Sequence, residues 1–86
     1  MKIEVEIPEY DRSTGLVYSW EGDFRITVKF HNGELVISAN RDGLRSLAQQ
    51  LLALAQDNVP AGAHYHYDPG TSLEENSAPM VIEKTP

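Results

Sequence analysis

Residues 24–40 read FRITVKFHNGELVISAN and carry the strongest local fold signal in the chain. An Asn-Gly pair between two alternating apolar runs is typical of a two-residue type I′ hairpin turn, because both central residues of that turn need positive φ. The register set by a turn at Asn32-Gly33 keeps apolar side chains on one face, so turn chemistry and hydrophobic pattern agree. The predicted opposed pairs are His31 with Glu34, Phe30 with Leu35, Val28 with Ile37, and Ile26 with Ala39.

An amphipathic helix is predicted directly after the hairpin, over Arg41–Asp57, with Asn40 as its N-cap. Its apolar residues recur at spacings of three and four, which gives a wide stripe that we expect to lie on the sheet. Asn58 and Pro60 end the helix. The stripe comprises Leu44, Leu47, Ala48, Leu51, Leu52, Leu54 and Ala55, and the opposite side comprises Arg41, Arg45, Gln49, Gln50 and Gln56.

Further strands are predicted on both sides of this unit, with a polar loop over Asp68–Pro79 around Leu73. The sequence therefore predicts an α+β fold in one small domain, residues 1–86. We expect a single antiparallel sheet in the order β-β-β-β-α-β-β, with one amphipathic helix packed on one face. The predicted strands are Lys2–Ile7, Leu16–Trp20, Phe24–Phe30, the second hairpin strand, the His/Tyr run after Gly62, and Met80–Lys84.

Composition narrows the classes of function. There is no cysteine, which excludes a disulfide framework and thiolate chemistry. Seven basic and thirteen acidic residues give a net charge of −6, which disfavours nucleic acid and anionic membranes and favours a basic protein partner. The first ten residues, MKIEVEIPEY, lack the apolar core of a signal peptide, and no apolar run approaches the ~20 residues of a membrane span. We therefore expect a cytoplasmic protein.

The run GAHYHYDPG, residues 62–70, is the most distinctive chemical feature of the chain. Successive side chains of an extended strand point to opposite faces. Two imidazoles and a carboxylate would therefore share one face, and two phenols the other. We favour a strand whose tyrosines pack under the helix and whose histidines face outward or toward a partner. The histidine face comprises His64, His66 and Asp68, and the opposite face comprises Tyr65 and Tyr67.

A metal site is the alternative interpretation of the same run, because His-x-His on a strand offers two nitrogens to one ion. Catalytic zinc usually needs three protein ligands, and each imidazole needs a partner that orients it. The remaining histidine, His31, is predicted at the hairpin tip, so an acidic residue would have to complete the site.

Enzymatic chemistry finds little support in the sequence. Glu74 and Glu75 are adjacent and diverge on any regular element. Asp68 precedes Pro-Gly, where an Asp caps local backbone groups. No phosphate-binding loop and no nucleophile elbow is present. We therefore predict no enzyme, no catalytic residue, no metal and no cofactor.

Protein binding suits the residue types better. Tyrosine and tryptophan are enriched among the residues that dominate interface energetics, and acidic groups steer basic partners. Acidic residues occur near the N-terminus and again between Asp68 and Glu75. The candidate partner-binding residues are His64, Tyr65, His66, Tyr67, Asp68, Glu74 and Glu75.

Three segments in this order resemble a known family: NRDGLRSLAQQLLALAQ, then GAHYHYD, then LEENSAPMVIEK. Together they resemble the immunity protein 32 family of small bacterial proteins. That family shows an Asn-Arg-x-Gly-Leu helix start, a Leu- and Ala-rich helix, a His-x-His strand, and a Leu-Glu segment before a final strand ending in Glu-Lys. The resemblance covers residues 40–84. This chain has Asn76-Ser77 and Pro79 where the family pattern has a Gly-containing turn.

The resemblance implies a cytoplasmic, non-catalytic immunity protein that binds and neutralises the toxin domain of a polymorphic toxin system. It implies a cognate toxin domain as partner, and the acidic balance suits a basic nuclease toxin. Two alternatives stay open at this point. One is a small metal-binding domain or hydrolase that uses the His-x-His strand, and the other is a generic regulatory or interaction domain that binds through an open sheet face or edge.

Overall fold

The computed structural model describes residues 1–86 and contains one helix and four strands. The two hairpin strands pair with each other, and the last two strands pair with each other, both antiparallel. The fold is α+β as predicted, but the predicted single sheet is wrong, because these are two separate two-stranded sheets. The helix is too short and too polar to cross a membrane. The elements are β1 (Ile26–His31), β2 (Glu34–Ala39), α1 (Arg41–Leu54), β3 (His64–Tyr67) and β4 (Met80–Glu83).

The β1–β2 hairpin has the predicted turn and the predicted register. Asn32 and Gly33 have φ of 51° and 79°, as a type I′ turn requires. All four predicted pairs, from His31 opposite Glu34 to Ile26 opposite Ala39, are confirmed.

The loop that precedes β4 separates the β1–β2 sheet from the β3–β4 sheet. Residues 74–78 lie beside β1, where the Glu74 N–H donates to the Ile26 carbonyl (2.9 Å) and the Ala78 N–H to the Val28 carbonyl (2.7 Å). The Val28 N–H, however, donates to the Ser77 hydroxyl (3.1 Å) and not to a backbone carbonyl. Pro79 then has no N–H to offer. A continuous ladder from β1 to β4 is therefore interrupted by the Asn76–Pro79 stretch that departs from the family pattern.

Neither of the two N-terminal strands that the sequence predicts is present. No backbone–backbone hydrogen bond involves residues 1–10, so Lys2–Ile7 has no pairing partner. Residues 16–20 are held by side chains instead. The Tyr65 hydroxyl donates to the Val17 carbonyl (3.0 Å) and the Gln50 amide donates to the Ser19 carbonyl (2.8 Å). The strand predictions for both segments are wrong. Lys2–Ile7 has no strand beside it, and in residues 16–20 side chains satisfy backbone groups that a ladder would have used.

Helix α1 begins at the predicted cap, where the Asn40 side chain accepts the Gly43 N–H (2.8 Å). It ends at Leu54, three residues before the predicted end. Leu47 and Leu54 are buried as predicted, but Ser46 and Gln50 are also buried. Part of the predicted apolar stripe faces solvent. The exposed leucines are Leu44 (55%), Leu51 (47%) and Leu52 (51%).

Close packing and polar contacts set the rotation of α1. A Cβ on Gly43 would lie 2.7 Å from the Arg25 carbonyl oxygen, so only glycine allows the helix to approach β1 here. The Ser46 hydroxyl accepts the Glu21 N–H (2.8 Å). These contacts, with the bond from Gln50 to residue 19, bring Ser46 and Gln50 inward beside Leu47 and Leu54 and leave the three leucines facing solvent.

The core lies between α1 and both sheets. Its members come from β1, α1, β3 and the two loops that flank the β3–β4 sheet, which makes the fold one continuous unit. They are Ile26, Val28, Leu47, Leu54, Val59, Tyr65, Tyr67 and Leu73.

Candidate functional site

Strand β3 separates its side chains by chemistry, as the alternation predicts. Tyr65 and Tyr67 are completely buried, whereas His64 and His66 are exposed. The prediction that the tyrosines pack and the histidines face outward is therefore confirmed. The two tyrosines contribute to the core in this structure, so they support the histidines from below and present no surface of their own.

The tyrosine hydroxyls are both hydrogen-bonded inside the protein. The Tyr67 hydroxyl donates to the Gln50 side-chain oxygen (2.6 Å), and the Tyr65 hydroxyl donates to the Val17 carbonyl. Burial, and to a lesser extent the neighbouring phenols, raise the pKa of Tyr67 well above its ordinary value. Burial also raises the pKa of Tyr65. The two phenols therefore stay neutral and serve as fixed hydrogen-bond donors.

A third tyrosine, Tyr18, closes the outer edge of β3. Its hydroxyl accepts the His66 N–H (3.0 Å) and lies 3.3 Å from the His66 carbonyl, to which it donates. Its ring meets the Tyr65 ring edge-on, with centroids 4.8 Å apart. Tyr18 therefore takes the place of a neighbouring strand and fixes the backbone from which the His66 side chain projects.

The exposed face of the β3–β4 sheet, which we call the histidine face, comprises His64, His66, Val81 and Glu83. His64 is directly opposite Glu83 and His66 is opposite Val81. The two imidazole rings meet edge-on with centroids 4.7 Å apart. His64 Nδ1 lies 2.8 Å from the Gly62 carbonyl oxygen. Because a carbonyl only accepts, Nδ1 carries the proton, and Nε2 of neutral His64 is left as a free acceptor.

The three acidic candidates do not all lie with the histidines. Asp68 directly follows His66 and Tyr67, is exposed, and begins a turn in which its carbonyl accepts the N–H groups of Thr71 and Leu73. Glu74 and Glu75 are exposed as well, but the Glu74 backbone is bonded to β1 and not to β3. The sequence grouped these carboxylates by proximity along the chain, and the loop between them separates Glu74 from the histidine face.

The metal alternative lacks a third ligand in this structure. No group of three or more His, Asp or Glu side chains is placed to hold a metal ion. His31 is at the hairpin tip as predicted, where its ring contacts the Asn32 amide (3.3 Å). Two exposed imidazoles alone do not make the closed or three-ligand sites that structural and catalytic zinc use.

A surface hollow of about 960 Å³ lies elsewhere, between residues 9–12 and the segment after α1. Two acidic residues, Glu9 and Asp11, line it, and Asp11 accepts the N–H (2.9 Å) and hydroxyl (2.8 Å) of Ser13. These two bonds hold the pKa of Asp11 below its ordinary value. A general acid at neutral pH needs the opposite shift, so Asp11 acts as a turn-forming carboxylate.

The comparison with protein families gives one match, to the model described as immunity protein 32, over residues 34–85. This match spans β2, α1, β3 and β4, which is more than half of the chain. The chain belongs to the immunity protein 32 family. Membership implies a toxin partner in general. Neither the curated proteins nor the solved structures contain a significant match.

Several residues of the immunity protein 32 pattern have a clear role in the fold. Asn40 caps α1 and also accepts the Arg25 N–H (3.0 Å). Gly43 permits the close approach of α1 to β1. The Lys84 ammonium donates to the carbonyls of Gln56 (2.7 Å) and Val59 (2.8 Å), which lie just after α1. These three residues stabilise the scaffold.

The histidines of the same family pattern have no comparable role. The His66 ring makes no hydrogen bond within the chain, and the His64 ring bonds only to a carbonyl two residues away. Both rings are exposed on a strand whose other face is fully occupied by core residues. Both rings are therefore free to contact another molecule without loss of a contact that holds the fold.

The sequence analysis did not predict the exposure of several apolar side chains. They lie on the hairpin and on α1, where the predicted stripe was expected to be buried. Only the tertiary contacts of Ser46 and Gln50 reveal that the helix is rotated. A weak sequence signal exists, because seven apolar residues make a stripe wider than one short helix can bury. The exposed residues are Phe30, Leu35, Val36, Ile37, Leu44, Leu51 and Leu52.

Proposed function

We propose that this immunity protein 32 family member is a cytoplasmic, non-catalytic inhibitor that binds its cognate toxin domain through the histidine face. The observation that carries the proposal is the contrast within the family pattern. Asn40, Gly43 and Lys84 serve the fold, whereas His64 and His66 are exposed and serve no fold contact. A family pattern that includes two such residues is best explained by what they contact outside the chain.

The chemistry of the histidine face suits a toxin surface rich in Arg and Lys. His64 Nε2 is a free acceptor when the ring is neutral, and the His66 ring has both nitrogens available. Two exposed carboxylates, Glu83 and Asp68, accompany them. The net charge of −6 attracts a basic partner over distance and speeds association.

A nuclease toxin is the class that this charge fits best. Enzymes that act on nucleic acid need basic surfaces to replace the counterions of the phosphates. An acidic inhibitor bound to such a surface blocks access of the substrate without performing any chemistry. The proposed mechanism is therefore steric and electrostatic occlusion of the toxin. The exposed face of β3–β4 supplies the charged and hydrogen-bonding groups, and the neutral phenols on the buried face of β3 support it.

The test is co-expression with the C-terminal toxin domain encoded next to this chain. We expect a one-to-one complex and cells that survive only when this chain is present. Replacing His64 and His66 with alanine should leave the melting temperature unchanged, because both side chains are exposed. The same double variant should bind the toxin domain at least about tenfold more weakly, a change of about 1.4 kcal/mol.

The matched control is His31→Ala, which removes the third exposed imidazole, at the hairpin tip. It should bind the toxin domain as the wild type does. Undiminished binding by the double variant would move the interface to another surface. Absence of any complex, with cells dying regardless, would refute the proposed function as a whole.

A further inference from the structure

The outer edge of β2 has unpaired backbone groups. In the two-residue hairpin, His31 and Glu34 exchange hydrogen bonds, so every second pair along the strands is not hydrogen-bonded. The N–H and C=O groups of Leu35, Ile37 and Ala39 therefore point away from β1. No loop or strand bonds to them, whereas residues 74–78 cover the opposite edge of the hairpin.

This edge has none of the features that normally protect an edge strand. Monomeric proteins protect such edges with proline, a bulge, or a charged side chain in the strand interior. Strand β2 reads ELVISA, residues 34–39, with its one charge at the end next to the turn. The remaining five residues, LVISA, are uncharged and β-prone, and such a segment open to water pairs readily with another strand.

Apolar side chains surround the open edge. Phe30 (74% exposed), Leu35 (52%) and Ile37 (43%) lie on the same face of the hairpin as the buried Ile26 and Val28. Helix α1 contacts β2 at its start, where Gly43 packs on Ala39 and Leu44 is exposed.

We propose that β2 pairs with β2 of a second copy of this chain, antiparallel about a two-fold axis at Ile37. The two hairpins then form one four-stranded sheet. In this register Ile37 lies opposite Ile37 of the second copy, and Leu35 lies opposite its Ala39. These are the residues with free backbone groups, so the new ladder uses the groups that are unpaired in one copy.

Local charges at the two ends of this surface are complementary between two copies, although the net charge of each copy is −6. The register places Glu34 opposite Asn40 of the second copy, and therefore beside its Arg41. The Arg41 side chain is 84% exposed, and its one ion pair, to Asp42, is long at 3.6 Å. The surface is thus self-complementary at both ends, because Glu34 of each copy lies near Arg41 of the other copy. A strongly basic toxin would instead meet Arg41 here.

Apolar groups are self-complementary in the same register. Gly43 packs against Ala39, so the start of α1 lies over that end of β2. Leu35 opposite Ala39 of the second copy therefore approaches the start of the second helix, where Leu44 is exposed. Phe30 is paired with Leu35 on the same face of the hairpin, so its ring extends this apolar surface.

The test is sedimentation equilibrium of the purified chain without any toxin, at a protein concentration of about 100 μM. We expect twice the monomer mass of 9.6 kDa. Ile37→Lys should raise the dissociation constant at least about tenfold, because it puts two lysines at the axis. The matched control is Ile3→Lys, which changes a half-exposed apolar residue (57%) outside both sheets and should leave the dimer intact. Circular dichroism checks that both variants are folded.

A charge swap keeps the test informative if Ile37→Lys does not fold. Glu34→Arg or Arg41→Glu alone should weaken the dimer, and the two together should restore it. A wild-type monomer at this concentration, or a swap that fails to restore association, would overturn the proposal. Toxin binding is measured separately, so loss of the dimer with retained toxin binding distinguishes this surface from the histidine face.

Discussion

The two sheets of this protein treat their apolar surface in different ways. Under β3, two tyrosines are completely buried, and their hydroxyls are hydrogen-bonded to the buried Gln50 and to the Val17 carbonyl. In the β1–β2 sheet, Ile26 and Val28 are buried, but Phe30, Leu35 and Ile37 remain exposed. The difference shows what a polar tip on an apolar ring contributes. A tyrosine can fill the core and at the same time bond an irregular segment, such as residues 17–19, that a leucine could not hold.

The two sheets also differ in whether their outer strand edges are covered. Side chains replace a strand at the edge of β3, through Tyr18, and loop residues 74–78 cover β1. No strand or loop bonds to the outer edge of β2. We propose that the histidine face binds the toxin and that the open hairpin self-associates, and three measurements on the free protein sharpen this contrast.

The largest expected effect separates buried from exposed leucines of the same helix. Leu54→Ala should lower the free energy of unfolding by about 2–5 kcal/mol, because Leu54 is 5% exposed and belongs to the core. Leu52→Ala makes the same chemical change at a 51% exposed position and should stay within about 0.5 kcal/mol. Urea unfolding measures both. Equal losses would mean that the rotation of α1 is not the one described.

The next largest effect concerns the hydroxyl of Tyr67. Tyr67→Phe keeps the ring but leaves the buried Gln50 oxygen without its donor. The free energy of unfolding should therefore fall by about 1–3 kcal/mol. The matched control is Tyr10→Phe, because the Tyr10 hydroxyl makes no hydrogen bond in the chain. An unchanged free energy of unfolding in Tyr67→Phe would show that ring packing alone stabilises this side of the core.

The smallest effect at neutral pH is the titration of the buried phenols. The folded-state pKa values of Tyr65 and Tyr67 are raised above the unfolded value, which is near 10. Below pH 10 both states are protonated and stability does not depend on these groups. Above pH 10 the unfolded state loses protons first, so stability falls as pH rises. Tyr67→Phe should reduce this slope by up to about one proton relative to the wild type. A wild-type slope in Tyr67→Phe would place the Tyr67 phenol in water.

Local signals in the sequence were sufficient for several elements. Asn32-Gly33 set both the turn and the register of the hairpin, since positive φ at both positions leaves one turn type. Asn40 set the start of α1, because its side chain accepts an N–H of the first turn. Alternation in residues 64–67 separated the histidines from the tyrosines. In each case the decisive contacts lie within a few residues along the chain.

Alternation failed at Lys2–Ile7 and Leu16–Trp20. A strand needs a partner for its backbone groups, and the sequence does not say whether that partner is another strand or a side chain. Here Gln50 and Tyr65, which lie more than thirty positions away from residues 17–19, supply the bonds.

The sequence by itself determined the hairpin, the helix start, the two faces of the histidine strand and the family. The tertiary structure alone decided the number of sheets, the rotation of α1 and the exposure of its leucines. The physical reason is that periodicity reports which residues share a face, but not which face is covered. That choice depended on Gly43, Ser46 and Gln50, whose close or polar contacts join segments far apart in the chain.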